Sequence, residues 1–140
     1  MTPATSTARS LRRLYNALQT IYGEQPWWPA ESPFEITVGA VLTQNTAWSN
    51  VEKAIERLKA AGLMSLPALL DTTHEQLAET IRPSGYYNIK AKRLRNLCLF
   101  LERAGGLDAF AAWSLDDQRT ALLDVNGVGP ETADDILLYA

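Results

Sequence analysis

The stretch Leu122-Leu123-Asp124-Val125-Asn126-Gly127-Val128-Gly129-Pro130-Glu131-Thr132-Ala133 decides how this chain folds. Two helical segments meet in it through a Gly-x-Gly turn, and a proline follows where a helix tolerates one best, at its first position. Glycine permits positive φ and lets backbone come close to a ligand. The turn opens straight into a helix start, where free N–H groups and the helix dipole favour an anion. Val128, between the glycines, is expected to tuck inward and hold the two helices together. Such a hairpin grips phosphate with backbone N–H groups instead of side-chain charge, and so can work amid Asp124, Glu131 and Asp134. A short Gly-x-Gly turn also serves any helical pair at a tight corner, so the neighbouring sequence has to decide.

Outward from the hairpin, helical punctuation continues. Leu11, Leu14, Tyr15, Leu18, Ile21 and Tyr22 follow the three-and-four spacing of an amphipathic helix over 6–22, which Gly23 ends. A loop over 23–33 carries Pro26, Pro29 and Pro33 around Trp27-Trp28. Ser32-Pro33-Phe34-Glu35 is a capping box opening a mostly apolar helix to Leu42. Trp48, Val51, Ile55 and Leu58 form the next stripe, stopped by Gly62. Thr73-His74-Glu75-Gln76 is a second capping box, and its lone histidine is given no chemistry. Ile89, Leu94, Leu97, Cys98 and Leu101 mark a long helix ended by Gly105-Gly106. Ser114 with Asp117 caps a helix to Leu123, and Pro130 begins the last one. No stretch reads as a credible strand, so the class is all-α: one domain over 1–140, with a helical core over 34–122 and the hairpin over 123–140.

The chain has 140 residues, 46% hydrophobic and 21% charged, enough for one core without staples. Its net charge of -3 does not advertise nucleic-acid binding, but its distribution is uneven. Arg82, Lys90, Lys92, Arg93, Arg95 and Arg103 are opposed locally only by Glu102, whereas acids dominate after Asp108. A basic stripe of this kind grips a few phosphates, and it equally suits a solvated helix face. The single cysteine, Cys98, sits in an apolar run and reads as a core filler. No signal peptide or membrane-spanning run is visible, and a cytoplasmic, nucleoid-associated location is the expectation.

Taken together, the motifs resemble the helix-hairpin-helix DNA glycosylases of the endonuclease III superfamily, over almost the whole chain. Within that superfamily the likeness is greatest to bacterial 3-methyladenine DNA glycosylases of the endonuclease III type. It is carried by Trp27-Trp28-Pro29, by Gly39-Ala40-Val41-Leu42-Thr43-Gln44-Asn45-Thr46, by Arg82-Pro83-Ser84-Gly85-Tyr86-Tyr87-Asn88 and by Lys90-Ala91-Lys92-Arg93-Leu94. Glu131 and Ala133-Asp134 fit as well. The resemblance implies the glycosylase fold, a six-helix barrel-like domain plus an N-terminal helix, cut short at its C-terminal end. It implies double-stranded DNA holding a damaged base as the partner.

The same resemblance assigns roles by position. Gln44 and Asn45 match the polar residues that fill the gap left by a flipped nucleotide, although either can also cap a helix C-terminus. Tyr86 matches an apolar wedge into the opposite strand, and Lys90 and Lys92 then meet nearby phosphates. Gly127, Val128 and Gly129 form the phosphate grip. Trp27, Trp28, Pro29 and Trp48 match the base pocket, where stacking a cationic alkylated purine between indoles gains roughly 0.5–2 kcal/mol. Large aromatics are also ordinary core residues, but two adjacent tryptophans cannot easily both face one core. Glu131 stands where bifunctional relatives carry the lysine that forms a Schiff base, which a carboxylate cannot do. The expectation is therefore hydrolysis without lyase action, with a catalytic aspartate beyond Ala140, and neither a metal nor a 4Fe-4S cluster held by this chain. Apolar surface left by missing C-terminal helices is expected to favour self-association. The competing readings are an endonuclease III-like glycosylase/AP lyase for oxidised pyrimidines and a non-enzymatic helix-hairpin-helix module.

Overall fold

In the computed structural model, which describes residues 5–140, Ser32 accepts the Glu35 N–H at 3.2 Å and starts the helix around which the others pack. That helix, α2 (Pro33–Leu42), buries Glu35 and every residue from Thr37 to Leu42, so it is central rather than amphipathic. It follows α1 (Ser6–Tyr22) and precedes α3 (Trp48–Ala60), α4 (Leu66–Asp71), α5 (His74–Thr80), a 3-10 turn (Arg82–Ser84) and α6 (Tyr87–Arg103). The chain closes through α7 (Leu107–Ala111), α8 (Leu115–Leu123) and α9 (Pro130–Tyr139). No strand occurs among the described residues, so the fold is all-α as expected.

Three helices pack against α2: α3, α6 and, from the hairpin, α9. α6 also packs against α4 and α5, and α8 lies along α9. The core is aliphatic, with Val41, Leu42, Val51, Leu58, Leu77, Ile81 and Leu122 all fully enclosed. Burying a side chain of this size stabilises by about 1.5–3 kcal/mol, so the stripes read from the sequence supply most of the driving force. The expected caps form: Thr73 accepts the Gln76 N–H and Ser114 that of Asp117, both at 3.2 Å.

Two regions depart from the sequence reading. Ile89, placed in the apolar stripe of α6, is 50% exposed, because the buried face of that helix runs through Lys90, Ala91, Leu94, Leu97, Cys98 and Leu101 instead. The short helices α4 and α7 are too brief to show a period, yet they plug Leu69 and Phe110 into the core. Helix α1 buries none of its residues, and its apolar stripe lies open, with Leu11 61% and Ile21 70% exposed. No helix among the described residues is long and apolar enough to cross a membrane.

Candidate functional site

The hairpin between α8 and α9 faces the end of α2 across a cleft of about 620 Å³. Gly127 takes φ 100°, a conformation only glycine adopts without strain, while Gly129 is extended at φ -92°, ψ -179°. The two glycines therefore serve different needs. A Cβ on Gly127 would clash with Arg93, coming within 2.8 Å of its Cβ and closer still to Cγ, whereas one on Gly129 would meet nothing within 4 Å. Val128 is 5% exposed and points into the core, as its place between the glycines predicts. No acceptor among the described residues takes up the N–H groups of Gly127, Gly129, Glu131 or Thr132. Pro130, lacking an N–H, leaves no further donor in that turn. Unpaired donors at a helix start are an anion site.

Gln44 does not project freely from the loop after α2. Its Nε2 donates to Gly127 O at 3.0 Å and Thr132 Oγ1 at 2.9 Å, and its Oε1 accepts from Arg93 Nη1 at 2.6 Å. It is thus a clasp between hairpin and barrel. Asn45, exposed and held at φ 52°, is the residue that this loop presents outward. Tyr86 is presented in the same way, 66% exposed at φ 44° ahead of α6. A left-handed conformation in a tyrosine costs on the order of 1–3 kcal/mol, which the structure around it has to sustain.

One assignment needs correction. Lys90, expected to meet phosphate, is 1% exposed, and its Nζ donates to Leu42 O at 2.7 Å and Ser84 O at 2.6 Å. Its periodicity with Ala91 and Leu94 turns it inward, and burial, with Arg93 beside it, lowers its pKa to about 8. Such an ammonium is not available to DNA. Lys92, on the opposite face, remains exposed.

The three expected tryptophans share a second cleft of about 410 Å³, lined by Trp27, Trp28, Thr43, Trp48, Glu131 and Asp135. Trp28 meets Trp48 edge-to-face with ring centroids 5.4 Å apart, and tilts against Tyr139 at 5.5 Å. Its ring lies over α2 where a Cβ on Gly39 would come within 3.3 Å, so that glycine makes room for the indole. Trp27, one of the lining residues, is 73% exposed, and Pro29, also exposed, does not line the cleft. Glu131 and Asp135, four residues apart on α9, face both clefts. The Asp135 carboxyl is raised above the usual range, first by burial and then by the charges of Glu131 and Asp134.

Sequence reasoning missed Thr43, Arg93, Thr132 and Asp135. Only Asp135 left a signal: it is one helical turn from Glu131 and so shares its face. Cys98 is 2% exposed and its thiol is pushed up to about 12 by burial, so it behaves as a core atom. One enclosed thiol does not fit a cluster that needs four thiolates.

Residues 38–133, from the middle of α2 to the first turn of α9, match the HhH-GPD superfamily base excision DNA repair protein family. The chain belongs to that superfamily. It is 49% identical over 131 residues to a protein of Methanocaldococcus jannaschii whose name assigns it, provisionally, to the DNA repair glycosylases; the match covers 91% of this chain and 60% of that protein. The endonuclease III of Thermotoga maritima is 31% identical over 106 residues, covering 75% of this chain and 46% of its own length. Among solved structures, the 3-methyladenine DNA glycosylase MagIII of H. pylori, bound to 1,N6-ethenoadenine, superposes with a TM-score of 0.78. It has 36% sequence identity and covers 94% of this chain and 63% of that one. The chain thus spans about three-fifths of MagIII and of the archaeal relative.

Proposed function

We propose that this chain supplies the DNA grip and base pocket of a monofunctional glycosylase that removes alkylated purines from duplex DNA. One observation carries the reading: the tryptophan cleft adjoins the hairpin cleft and shares Thr43, Glu131 and Asp135 with it. A strand held by the hairpin N–H groups is thereby next to a slot for an extruded base. A base must leave the stack before an enzyme reaches its glycosidic bond, and Asn45 and Tyr86, both projecting, suit the gap and the opposite strand.

The slot favours a cation. Indole faces attract positive charge, and two carboxylates line the same cleft. An alkylated purine carries that charge and leaves as a neutral base when its bond to the sugar breaks, while water adds to the sugar carbon. Lyase chemistry needs an amine at the sugar, and no lysine lines either cleft among the described residues. Lys90, the lysine with a lowered pKa, is enclosed and occupied by two carbonyls. The reading calls for no metal or cluster held by these residues, and for double-stranded DNA as partner. The likeness to MagIII, whose name gives 3-methyladenine as its base, supports the choice of lesion.

The test is chemical. The protein, in the length its gene encodes, is incubated with methylated duplex, and released bases are separated by chromatography. Free 3-methyladenine with strands that break only on later alkali treatment is the expected result. Release of oxidised pyrimidines, or nicking without alkali, overturns the proposal.

A further inference from the structure

We propose that Lys90 is a positioning residue that fixes the spacing between the two loops carrying Asn45 and Tyr86. The proposal rests on the reading of those residues as gap-filler and wedge. The geometry is unusual for a lysine. Its ammonium is enclosed, and two of its three protons go to carbonyls, Leu42 O at 2.7 Å, 48 residues away, and Ser84 O at 2.6 Å, six residues away. The first lies at the C-terminal end of α2, three residues before Asn45; the second closes the 3-10 turn, two residues before Tyr86. Each carbonyl therefore lies two or three residues before one of the two non-glycine residues held at positive φ among those described, 52° and 44°. One cation joins the roots of both.

Elementary energetics argue that this is more than filling. A buried ammonium loses its hydration and regains only part of it from two carbonyls, and its lowered pKa reports that deficit. An apolar side chain of the same length would pack there at less cost. What the ammonium adds is direction: charged hydrogen bonds are short and hold two acceptors at a set separation. One helical turn along, Arg93 reaches Gln44, which in turn holds Gly127 O. Lys90 and Arg93, on one face of α6, thus place loop, wedge and hairpin in a common frame. A duplex with a vacated nucleotide presents its gap, opposite strand and phosphates at fixed spacings, so the three elements engage together only if the protein holds them in register.

The test compares affinity for a duplex containing a tetrahydrofuran abasic analogue with affinity for the same duplex intact, by fluorescence anisotropy, well below the melting temperature of each variant. Wild type is expected to prefer the abasic duplex, and Asn45→Ala and Tyr86→Ala to lower that preference. Lys90→Met and Lys90→Arg are the probes: one removes both hydrogen bonds, the other replaces the compact ammonium with a longer planar head. Either is expected to reduce the preference about tenfold while leaving intact-duplex affinity within about twofold. A merely structural lysine would lower both affinities together, or neither. Loss of preference in any folded Lys90 variant supports the proposal, and retention in every folded one overturns it. If neither variant folds, hydrogen exchange of the wild type under rising urea decides. The amides of Thr43, Gln44, Ser84 and Gly85, all hydrogen-bonded, must lose protection in one transition, and separate transitions overturn the proposal. No preference in wild type, or none lost in the Asn45 and Tyr86 variants, removes instead the reading on which it rests.

Discussion

On one side of the first turn of α9 the cleft wall is backbone: unpaired N–H groups of Gly127, Gly129, Glu131 and Thr132, with Gln44 clasping the turn from behind. On the other side the wall is three indoles, and the carboxylates of Glu131 and Asp135 stand between the two clefts and line both. A single helix serves opposite electrostatic purposes along its two edges. On the function proposed above, its positive end is where a strand's anionic backbone would lie, and its acidic residues are where a cationic base would lie. The proposed grip is thus compatible with a net charge of -3. A grip of that kind would depend on dipoles fixed by the fold and would leave side-chain charge free to select the ligand in the pocket. Removing parts of one wall should therefore spare what the other does.

The largest separation is expected from Trp48→Ala. It removes one indole and the edge on which Trp28 rests at 5.4 Å. Loss of the cation–π contact and of aromatic packing together is worth about 3 kcal/mol, or roughly a hundredfold in kcat/KM for 3-methyladenine release. Intact-duplex affinity should stay within about twofold, because Trp48 does not line the hairpin cleft. An equal fall in both would show the two walls to be one site.

Next come the glycines, which the structure separates although the sequence motif treats them alike. Gly127→Ala is expected to destabilise the fold by about 1–3 kcal/mol, read from the urea midpoint, since it places a Cβ at φ 100° against Arg93. Gly129→Ala meets no obstruction, so its stability should stay within about 0.5 kcal/mol. Its methyl lies where a phosphate must approach, and duplex affinity should drop about tenfold. The reverse ranking would mean that Gly129 is needed for folding and not for contact.

That contrast also shows what a sequence can carry. Helices announced by a cap, such as α2, α5 and α8, were legible because that signal is local: Ser32, Thr73 and Ser114 act on N–H groups three residues away. Trp27 and Trp28 were legible as a pair because a proline-rich loop offers them no core of their own, whereas Trp48 stands at the start of α3. Lys90 was misread since its charge suggested solvent, and only the register of α6 shows that it turns inward beside Ala91. Gln44 looked like a free amide, but its three partners lie on two other elements, Gly127 and Thr132 at the hairpin and Arg93 on α6. Sequence spacing conveys local geometry well; pairings across the barrel arise from packing, which no single stretch encodes.

Smaller effects should come from the acids shared by both clefts. Glu131→Gln and Asp135→Asn are each expected to reduce the preference for a cationic over a neutral base severalfold, about 0.5–1 kcal/mol at a partly solvated site. The pH dependence has a definite sign. The Asp135 carboxyl is raised by burial and by its acidic neighbours, so it takes up a proton while ordinary carboxylates remain ionised. As pH falls through that raised value the cleft loses one negative charge, and the cationic preference should fall with it. Folding stability moves the other way: the folded state binds the proton more tightly than the unfolded chain, so it gains stability as pH falls through the same window. Asp135→Asn should abolish both steps, and Glu131→Gln should shift them to lower pH by removing one of the charges that raise the group. A step unchanged in either variant would place its origin outside this cleft.

The smallest expected change tests the backbone wall directly. Each phosphate neutralised by a lysine or arginine adds about 0.9 to the slope of log affinity against log salt. If N–H groups carry the hairpin contact, they release fewer counterions than side-chain cations would, and the slope for intact duplex should be shallow. Lys92→Ala should reduce it by about one unit, since that ammonium is exposed. Lys90→Met should leave the slope unchanged, because its ammonium already belongs to Leu42 and Ser84. The two lysines lie two residues apart on one helix, so a difference between them in salt dependence measures which face of α6 the DNA meets. Equal reductions would mean that Lys90 swings out to reach phosphate, and that the frame joining the two loops opens when DNA binds.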